Sequence, residues 1–373
     1  MAKSDQGRLR SVSYLLIRSV LPILMALVVA GILLVIIGKD PIGFYIGVFQ
    51  NGIMGDNWQH SLVMMTPLLL IAIGLIVAFR GQLWNLGYDG QFLLAGVVVA
   101  GLAPQLIEAT SPGVAYLLLT IAAVVVGAAW TYIPAHLKAR FGTNEIITTL
   151  VMSIIGVGLT NILIHYFFQD PSVRTPRTSS IPMDVMLPYI PGTHVHVGFI
   201  IAIIAAIVFQ FILKRTSFGL RLDVFGASPK SARHVGIKSG RMIILLFAIS
   251  GGLIGLAASM DIFGQWGYMR TNWNPAYGDE IVPFVFLARL SPLGAIPFIA
   301  FYSVFATGGM IASQEAGFSS QFLKVIVALI LIFMAITEYI GTKRDLGQSY
   351  LPDELKETIK RPFANFASRG GKP

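Results

Sequence analysis

Asn85, Asp89 and Gln91 stand within seven residues, in the stretch NLGYDGQ, between two strongly apolar runs. Asn144 and Glu145 open another such run, Asn161 lies further along it, and Glu280 and Gln314 belong to a later region. Amides and carboxylates of this kind can offer weak polar contacts to a solute. They form no reaction centre by motif: there is no G-x-x-x-x-G-K-[ST], no H-E-x-x-H and no G-x-S-x-G. The six histidines are scattered, and the pair in HVH (194–196), beside a proline turn, reads as accidental rather than as a metal site. With no cysteine, neither disulfides nor thiolate metal sites are open to the chain.

The surroundings make these polar groups informative. The chain of 373 residues is 55% hydrophobic and 12% charged, whereas soluble domains carry about 25% charged residues. Several runs, such as SVLPILMALVVAGILLVIIG (19–38), are long enough to cross about 30 Å of hydrocarbon as helices. The fold class expected is an all-α polytopic membrane protein. Segments near 19–38, 61–79, 90–107, 113–134, 145–168, 197–213, 241–260, 280–291, 293–312 and 321–341 make about ten crossings. The net charge of +9 sits at helix ends rather than in a nucleic-acid patch. Arg80, Lys138 with Arg140, Lys214 with Arg215, and the tail bearing Lys343, Arg344, Lys356, Lys360 and Arg361 all fall on the side of the N-terminus, with its Lys3, Arg8 and Arg10. That side is cytoplasmic by the positive-inside rule. The domains expected are a cytoplasmic segment 1–18, a membrane domain 19–341 and a cytoplasmic tail 342–373. The first apolar run is read as a retained helix rather than a signal peptide, because it is long and no small-residue cleavage site follows.

Within that frame, 280–312, with Pro283, Pro292 and Pro297, reads as two crossings or as a broken or re-entrant segment near 280–295. The outer loop 169–196 is proline-rich and faces water. GTNEIITTL (142–150) and YGDEIVPFV (277–285) echo one another from opposite faces, as an inverted repeat would. Two readings of 80–91 stand side by side. It is either an interfacial loop with Asn85 and Gln91 capping helices, or a broken helix lining a conduit, since intramembrane polar groups need protein or water to face. Gly81, Gly87 and Gly90 permit the turns. Asn144 and Glu145 likewise suit a helix cap or a conduit. In the inner loop 214–240, Phe218, Leu222 and Phe225 form one apolar stripe, suited to a membrane surface or a partner's groove.

Four blocks carry a resemblance to a known family. AFRGQLWNLGYDGQFLLAG is similar to the Asn-Ile-Gly-x-Glu-Gly-Gln signature of ABC importer permeases for nucleosides and simple sugars, in the branched-chain amino acid and ribose permease superfamily. GTNEIITTLVMSIIG, FGLRLDVFGASPKSARHVGIKSGRMIILLFAISGGLIGLAAS and YGDEIVPFVFLARLSPLG resemble later blocks of that family in the same order. Tyr88-Asp89 departs from the commoner Ala-Glu. The resemblance implies a transport subunit of a bacterial cytoplasmic (inner) membrane, without its own ATPase site and with no cofactor, ATP being used by partner subunits. Its partners would be ABC ATPase subunits, a second permease (paralogue or copy) and an extracytoplasmic substrate-binding protein. The conduit would run along Asn85, Asp89, Gln91, Asn144, Glu145, Asn161 and Glu280, with less weight on Gln314. The ATPase-coupling loop would comprise Phe218, Arg221, Leu222, Phe225, Gly226, Ser228, Arg233 and Gly236. The surface around Arg174, Arg177 and Trp266 to Trp273 would receive the binding protein. An ion-gradient carrier and a branched-chain amino acid permease remain the alternatives.

Overall fold

The computed structural model describes the backbone of residues 2–345 and the side chains of 18–343. Lys3, Arg8, Arg10, Arg344 and most of the tail 342–373, with Lys356, Lys360 and Arg361, therefore lie outside the side chains described. The helices are α1 (Ala2–Ile36), α2 (Pro41–Ile53), α3 (Asn57–Arg80), α4 (Tyr88–Ala109), α5 (Pro112–Trp130), α6 (Tyr132–Phe141) and α7 (Glu145–Tyr166). They continue with α8 (Gly198–Arg215), α9 (Ser217–Ala227), α10 (Pro229–His234), α11 (Ser239–Asp261), α12 (Tyr277–Leu287), α13 (Pro292–Glu315) and α14 (Phe322–Asp345). Among the described residues nine helical spans are long and apolar enough to cross a membrane. The protein is polytopic and helical, and its chain divides into two compact units, Ile37–Lys324 and a smaller one of the two terminal segments. In the smaller unit Arg18 pairs with Glu338 at 3.2 Å.

The larger unit is built on α3 and α11. Met65 to Phe79 of α3 is buried without interruption, although nothing but its all-round apolarity marks it as a central helix. Gly74 lets α11 approach so closely that a Cβ there would sit 2.8 Å from the Ser250 carbonyl. Helix α3 packs on α12 and α13, and α11 packs on α4 and α5. The chain thus contains two intertwined halves, α3–α4–α5 and α11–α12–α13, each of whose first helices is sheathed by the other half.

Two short helices depart from the ten-crossing expectation. Helix α12 has eleven residues and spans about 16 Å, half of the hydrocarbon thickness. Its segment is not a full helical crossing, and the break lies upstream of 280–295. One π turn (Ile262–Trp266) ends α11, and 267–276 is non-helical. Parity is kept because the non-helical stretch and α12 together return the chain to the inner side. Helix α2 lies between the expected spans 19–38 and 61–79, where no element was assigned. Asp40 caps it by accepting from the Ile42 amide at 2.9 Å, and Pro41 supplies the first turn. Gly52 and Gly308 let α2 lie on α13, where a Cβ on Gly308 would come within 2.0 Å of the Val48 carbonyl. The 142–150 and 277–285 echo also falls away as a repeat, because α7 starts at the inner face and α12 starts at mid-depth.

The outer segment 169–197 is tied down by backbone bonds along 263–271: the Thr178, Ile181 and Leu187 amides donate to Met269, Gly267 and Phe263. His196 is sealed there beneath Gly264 and Gly198, 1% exposed. Neither ring nitrogen has a hydrogen-bond partner, and burial pushes its pKa down to about 4. Because the folded pKa lies below the unfolded value of about 6.5, the unfolded chain binds the proton more readily, and stability falls as pH drops from about 6.5 towards 4. The melting temperature of wild type is therefore expected to fall more steeply over that range than that of His196→Gln, and parallel curves would refute this.

Small residues set the helix spacing, as is usual in membranes. A Cβ at Gly255 would come within 2.1 Å of the Ala123 carbonyl, whereas one at Gly158 meets nothing within 4 Å. Gly255→Val is expected to cost about 1–3 kcal/mol of overpacking, read as a lowered melting temperature in detergent, while Gly158→Ala leaves it unchanged or raised.

A broken-helix crossing and an aromatic cavity

Arg80 ends α3 at the inner side, where its guanidinium holds Asp223 of α9 at 2.6 Å. The chain then runs non-helically to Gly87. Asn85 donates to the Ser250 hydroxyl at 2.9 Å, and Ser250 lies eleven residues into α11, about 16 Å from its inner end. The polar stretch is therefore a break at mid-membrane rather than an interfacial loop. Every exposed group in such a break must be satisfied by protein, and here most are. Asn85 and Gln91 form a reciprocal amide pair, at 3.1 and 2.8 Å. The Leu86 amide donates to Thr149 at 3.2 Å and the Gly90 amide to Ser153 at 3.1 Å, both from α7.

The second break mirrors the first. Asn85 Oδ1 accepts from the amide of Gly87 at 3.2 Å, and Asn274 Oδ1 accepts from the amide of Ala276 at 2.8 Å. Each turn is followed by a tyrosine that begins a helix, Tyr88 for α4 and Tyr277 for α12, with acids in the first turn. NLGYDG and NPAYGD share this local geometry, and both carry Asn-x-x-Tyr followed by an acid. The two helix starts meet. The Tyr88 hydroxyl donates to Asp279, and Asn274 donates to Asp89 at 2.8 Å. The Tyr88 ring lies so close to Gly278 that a Cβ there would come within 2.1 Å.

Beside this crossing, on the side away from Arg80, lies a cavity of about 610 Å³, inside the range of about 300–1,000 Å³ typical of small-ligand sites. Trp266, Trp273, Tyr277 and Tyr302 line it, with Glu280 and Lys324 as its charged groups; the starts of α3 and α14 form its outer rim. The two tryptophan rings meet edge to face at 5.3 Å, and the Tyr302 hydroxyl donates to Glu280. The arrangement suits a flat or ring-shaped polar solute: aromatic faces for stacking and a carboxylate to accept from hydroxyls or amines.

The sequence-derived residues are distributed unevenly about this site. Glu280 lines the cavity, and Asp89 is linked to it through Asn274 and the Trp273 segment. Asn85 and Gln91 are buried and spent on one another. Asn144 caps α7 by accepting from the Ile146 amide at 2.9 Å, and Glu145 pairs with Lys138 at 2.7 Å, at the inner end. Asn161 accepts from the Asn272 amide at 2.9 Å, holding the second break in place, and Gln314 is exposed near the end of α13. Arg177 covers the Tyr268 ring at 4.8 Å, and Arg174 is exposed nearby. Trp266 and Trp273, expected at a surface for the binding protein, line the cavity instead. Tyr277, Tyr302 and Lys324 were missed because a single aromatic or basic residue beside an apolar run carries no local signal. Asp261 was missed too. It is buried and reached by the Tyr277 hydroxyl at 3.5 Å, and its Oδ1 has no hydrogen-bond partner.

The stripe in the inner loop turns inward. Leu222 and Phe225 are buried, Leu222 against Gly81, and Gly226 lies on the Arg80 carbonyl. Phe218 is half-buried and Ser228 caps α10 by accepting from the Ser231 amide at 3.2 Å. What the loop shows to its surroundings is Leu220, Arg221, Lys230, Arg233, Val235 and Gly236.

A helical membrane protein with paired broken helices and a solute-sized outer cavity is built as a transport subunit. The family model for the branched-chain amino acid transport system / permease component matches residues 57–336, and the chain belongs to that family. It is 27% identical over 333 residues to the glucose ABC transporter permease protein TsgB13 of Haloferax volcanii, covering 86% of this chain and 87% of the relative. It is 25% identical over 315 residues to the guanosine ABC transporter permease protein NupP of Bacillus subtilis, covering 82% and 89%. Against the nucleoside ABC transporter permease protein NupB of Lactococcus lactis the identity is 28% over 342 residues, covering 86% and 91%.

Asn274 both closes its own turn and holds Asp89. Asn274→Ala is expected to cost about 0.5–1.5 kcal/mol through the hydrogen bonds it removes, lowering the melting temperature. Asn274→Asp, which sets a second carboxylate against Asp89, lowers it further. An aspartate variant as stable as wild type would show that the two breaks are not joined at this point.

Proposed function

We propose that this chain is the membrane permease subunit of an ATP-driven ABC importer whose solute is a nucleoside. The observation that carries the solute class is the cavity faced by Trp266, Trp273, Tyr277 and Tyr302 with Glu280 among them. A nucleobase stacks on such faces irrespective of its edge pattern, with about 1–3 kcal/mol per base, and the carboxylate accepts from ribose hydroxyls. The nucleoside and guanosine permeases among the relatives support this reading, and the glucose permease keeps a simple sugar as the second. The same names favour ATP over an ion gradient as the energy source, and none of these three points to branched-chain amino acids as solute.

In this reading a substrate-binding protein delivers the solute to the outer rim near Arg174 and Arg177, and a second permease completes the conduit. ABC ATPases bind the exposed face of α9 and α10, and the permease itself has no ATPase site and no cofactor. The membrane is the bacterial cytoplasmic membrane, with both termini inside. Asp89 and Glu280 make weak, transient contacts along the path, since selection has already occurred outside.

The test is uptake into proteoliposomes holding this chain with its neighbouring permease, ATPase and binding protein, supplied with labelled guanosine, uridine, ribose, glucose and leucine. ATP-dependent nucleoside uptake is expected. Trp273→Ala should raise the concentration for half-maximal uptake about tenfold, as loss of about 1.4 kcal/mol of stacking implies, while Trp273→Phe stays near wild type. Uptake of glucose alone would move the assignment to sugars, and uptake driven by an ion gradient without ATP would overturn it.

A further inference from the structure

A second cavity, of about 340 Å³, opens at the opposite, inner side, where α9, the turn after α10 and the start of α11 meet. Its walls are divided by chemistry. Arg221, Lys238 and Arg241 are its three cations; Val235, Ile237, Met242 and Leu245 are its apolar side chains, of which Met242 and Leu245 carry it along α11. No acidic side chain lines it. The nearby carboxylate, Asp223, is already held by Arg80 through two hydrogen bonds, at 3.2 and 2.6 Å. Among the described residues no ion pair is formed by Arg221, Lys238 or Arg241.

The depth of the cavity says what it can take. Arg241 is the third residue of α11 and Leu245 the seventh, so the apolar end lies about 6 Å further along the helix than the charged end. Leu245 is 46% exposed inside a span apolar enough for the membrane. Arg241 and Leu245 are one turn apart, on the same edge of the helix. The cavity thus runs from the basic inner surface to the first turns that face hydrocarbon. Three cations with no ion pair among the described residues, gathered over one opening, attract phosphate, and the apolar end accepts the glycerol and first acyl carbons. Positive charge at a cytoplasmic helix end is common; a walled cleft that joins three such charges to a lipid-facing apolar floor is more specific.

We propose that this cavity is a binding site for an anionic phospholipid, its phosphate held by Arg221, Lys238 and Arg241 and its upper acyl region against Met242 and Leu245. Bound there, the lipid would brace α9 and α10 against α11, the same cytoplasmic helices that rest on the end of α3. The site is independent of which solute the chain transports.

The test uses the full chain purified in a neutral detergent, with thermal unfolding followed during titration with phosphatidylglycerol. Matched arms receive phosphatidylcholine of the same acyl length, glycerol 3-phosphate and inorganic phosphate. The result expected is a saturable rise in melting temperature with phosphatidylglycerol and no rise with phosphatidylcholine or the two soluble phosphates at equal concentration. Lys238→Gln with Arg241→Gln, both at surface positions, should leave the unliganded melting temperature near wild type. The pair should raise the phosphatidylglycerol concentration for half-maximal shift at least tenfold. Leu245→Ser should weaken the response without removing charge. An equal response to phosphatidylcholine, or to glycerol 3-phosphate alone, would overturn the lipid assignment. So would an unaltered phosphatidylglycerol response in the double variant. If that variant instead lost co-purification with the ATPase while its lipid response was unchanged, the cations would belong to a protein contact and the proposal would fall.

Discussion

Backbone amides and carbonyls cannot be left bare inside a bilayer, and this chain leaves the helix twice between its membrane helices, at 81–87 and, running in from the outer segment, at 267–276. Much of the larger unit can be understood as the means of covering those two breaks. Asn85, Gln91 and Ser250 satisfy one another at the first, Thr149 and Ser153 of α7 take its amides, and Asn161 reaches from α7 to the second. The helices that leave the breaks, the full-length α4 and the short α12, then lean on each other through Tyr88 with Asp279 and Asp89 with Asn274. Acids in both first turns suit the positive ends of the helix dipoles. The cost of unwinding two helices is offset by a polar network that neither half could make alone.

The interleaving of the halves follows from the same requirement. Helices α3 and α11 must pass close to both breaks, so they are buried centrally and carry the small residues at which neighbours approach, Gly74, Gly251 and Gly255. The outer cavity is what remains where α12 stops short of a full crossing. Its aromatic walls come from the turn that ends α11, from the second break and from α12 and α13, with the starts of α3 and α14 at its rim. Glu280 lines it and is in the first turn of α12, whose start is tied to Tyr88 through Asp279 and to Asp89 through Asn274. Site and break are one piece of structure.

On the inner side the connection is equally direct. Gly226 of α9 rests on the carbonyl of Arg80, and Arg80 grips Asp223, so α9 is fastened to the last residue of α3. The next residues are those of the first break. Gly81, Gln82 and Leu83 still donate to the carbonyls of Ala78 and Phe79, so α9, the end of α3 and the start of the break form one continuous piece of structure.

Hydropathy, charge asymmetry and local capping are properties of a short window, and these were legible. They include the apolar runs, the basic inner ends, the Asn144 cap and the glycine-flanked break at NLGYDGQ, and they determine a helical membrane protein without reference to its packing. In lipid, however, a side chain that faces a neighbouring helix and one that faces an acyl chain are both apolar, so the pattern does not reveal which face is covered. For that reason Leu222 and Phe225 gave no sign of turning inward, α2 drew no assignment, and 280–295 stood open between a full crossing and a broken or re-entrant segment. Asn85 and Gln91 looked like conduit groups because their mutual pairing depends on a turn, and Ser250 lies 165 residues away. The aromatic cavity is the extreme case. Its walls come from segments near 60, 270, 302 and 324, and only the packing of α12 and α13 around α3 brings them face to face.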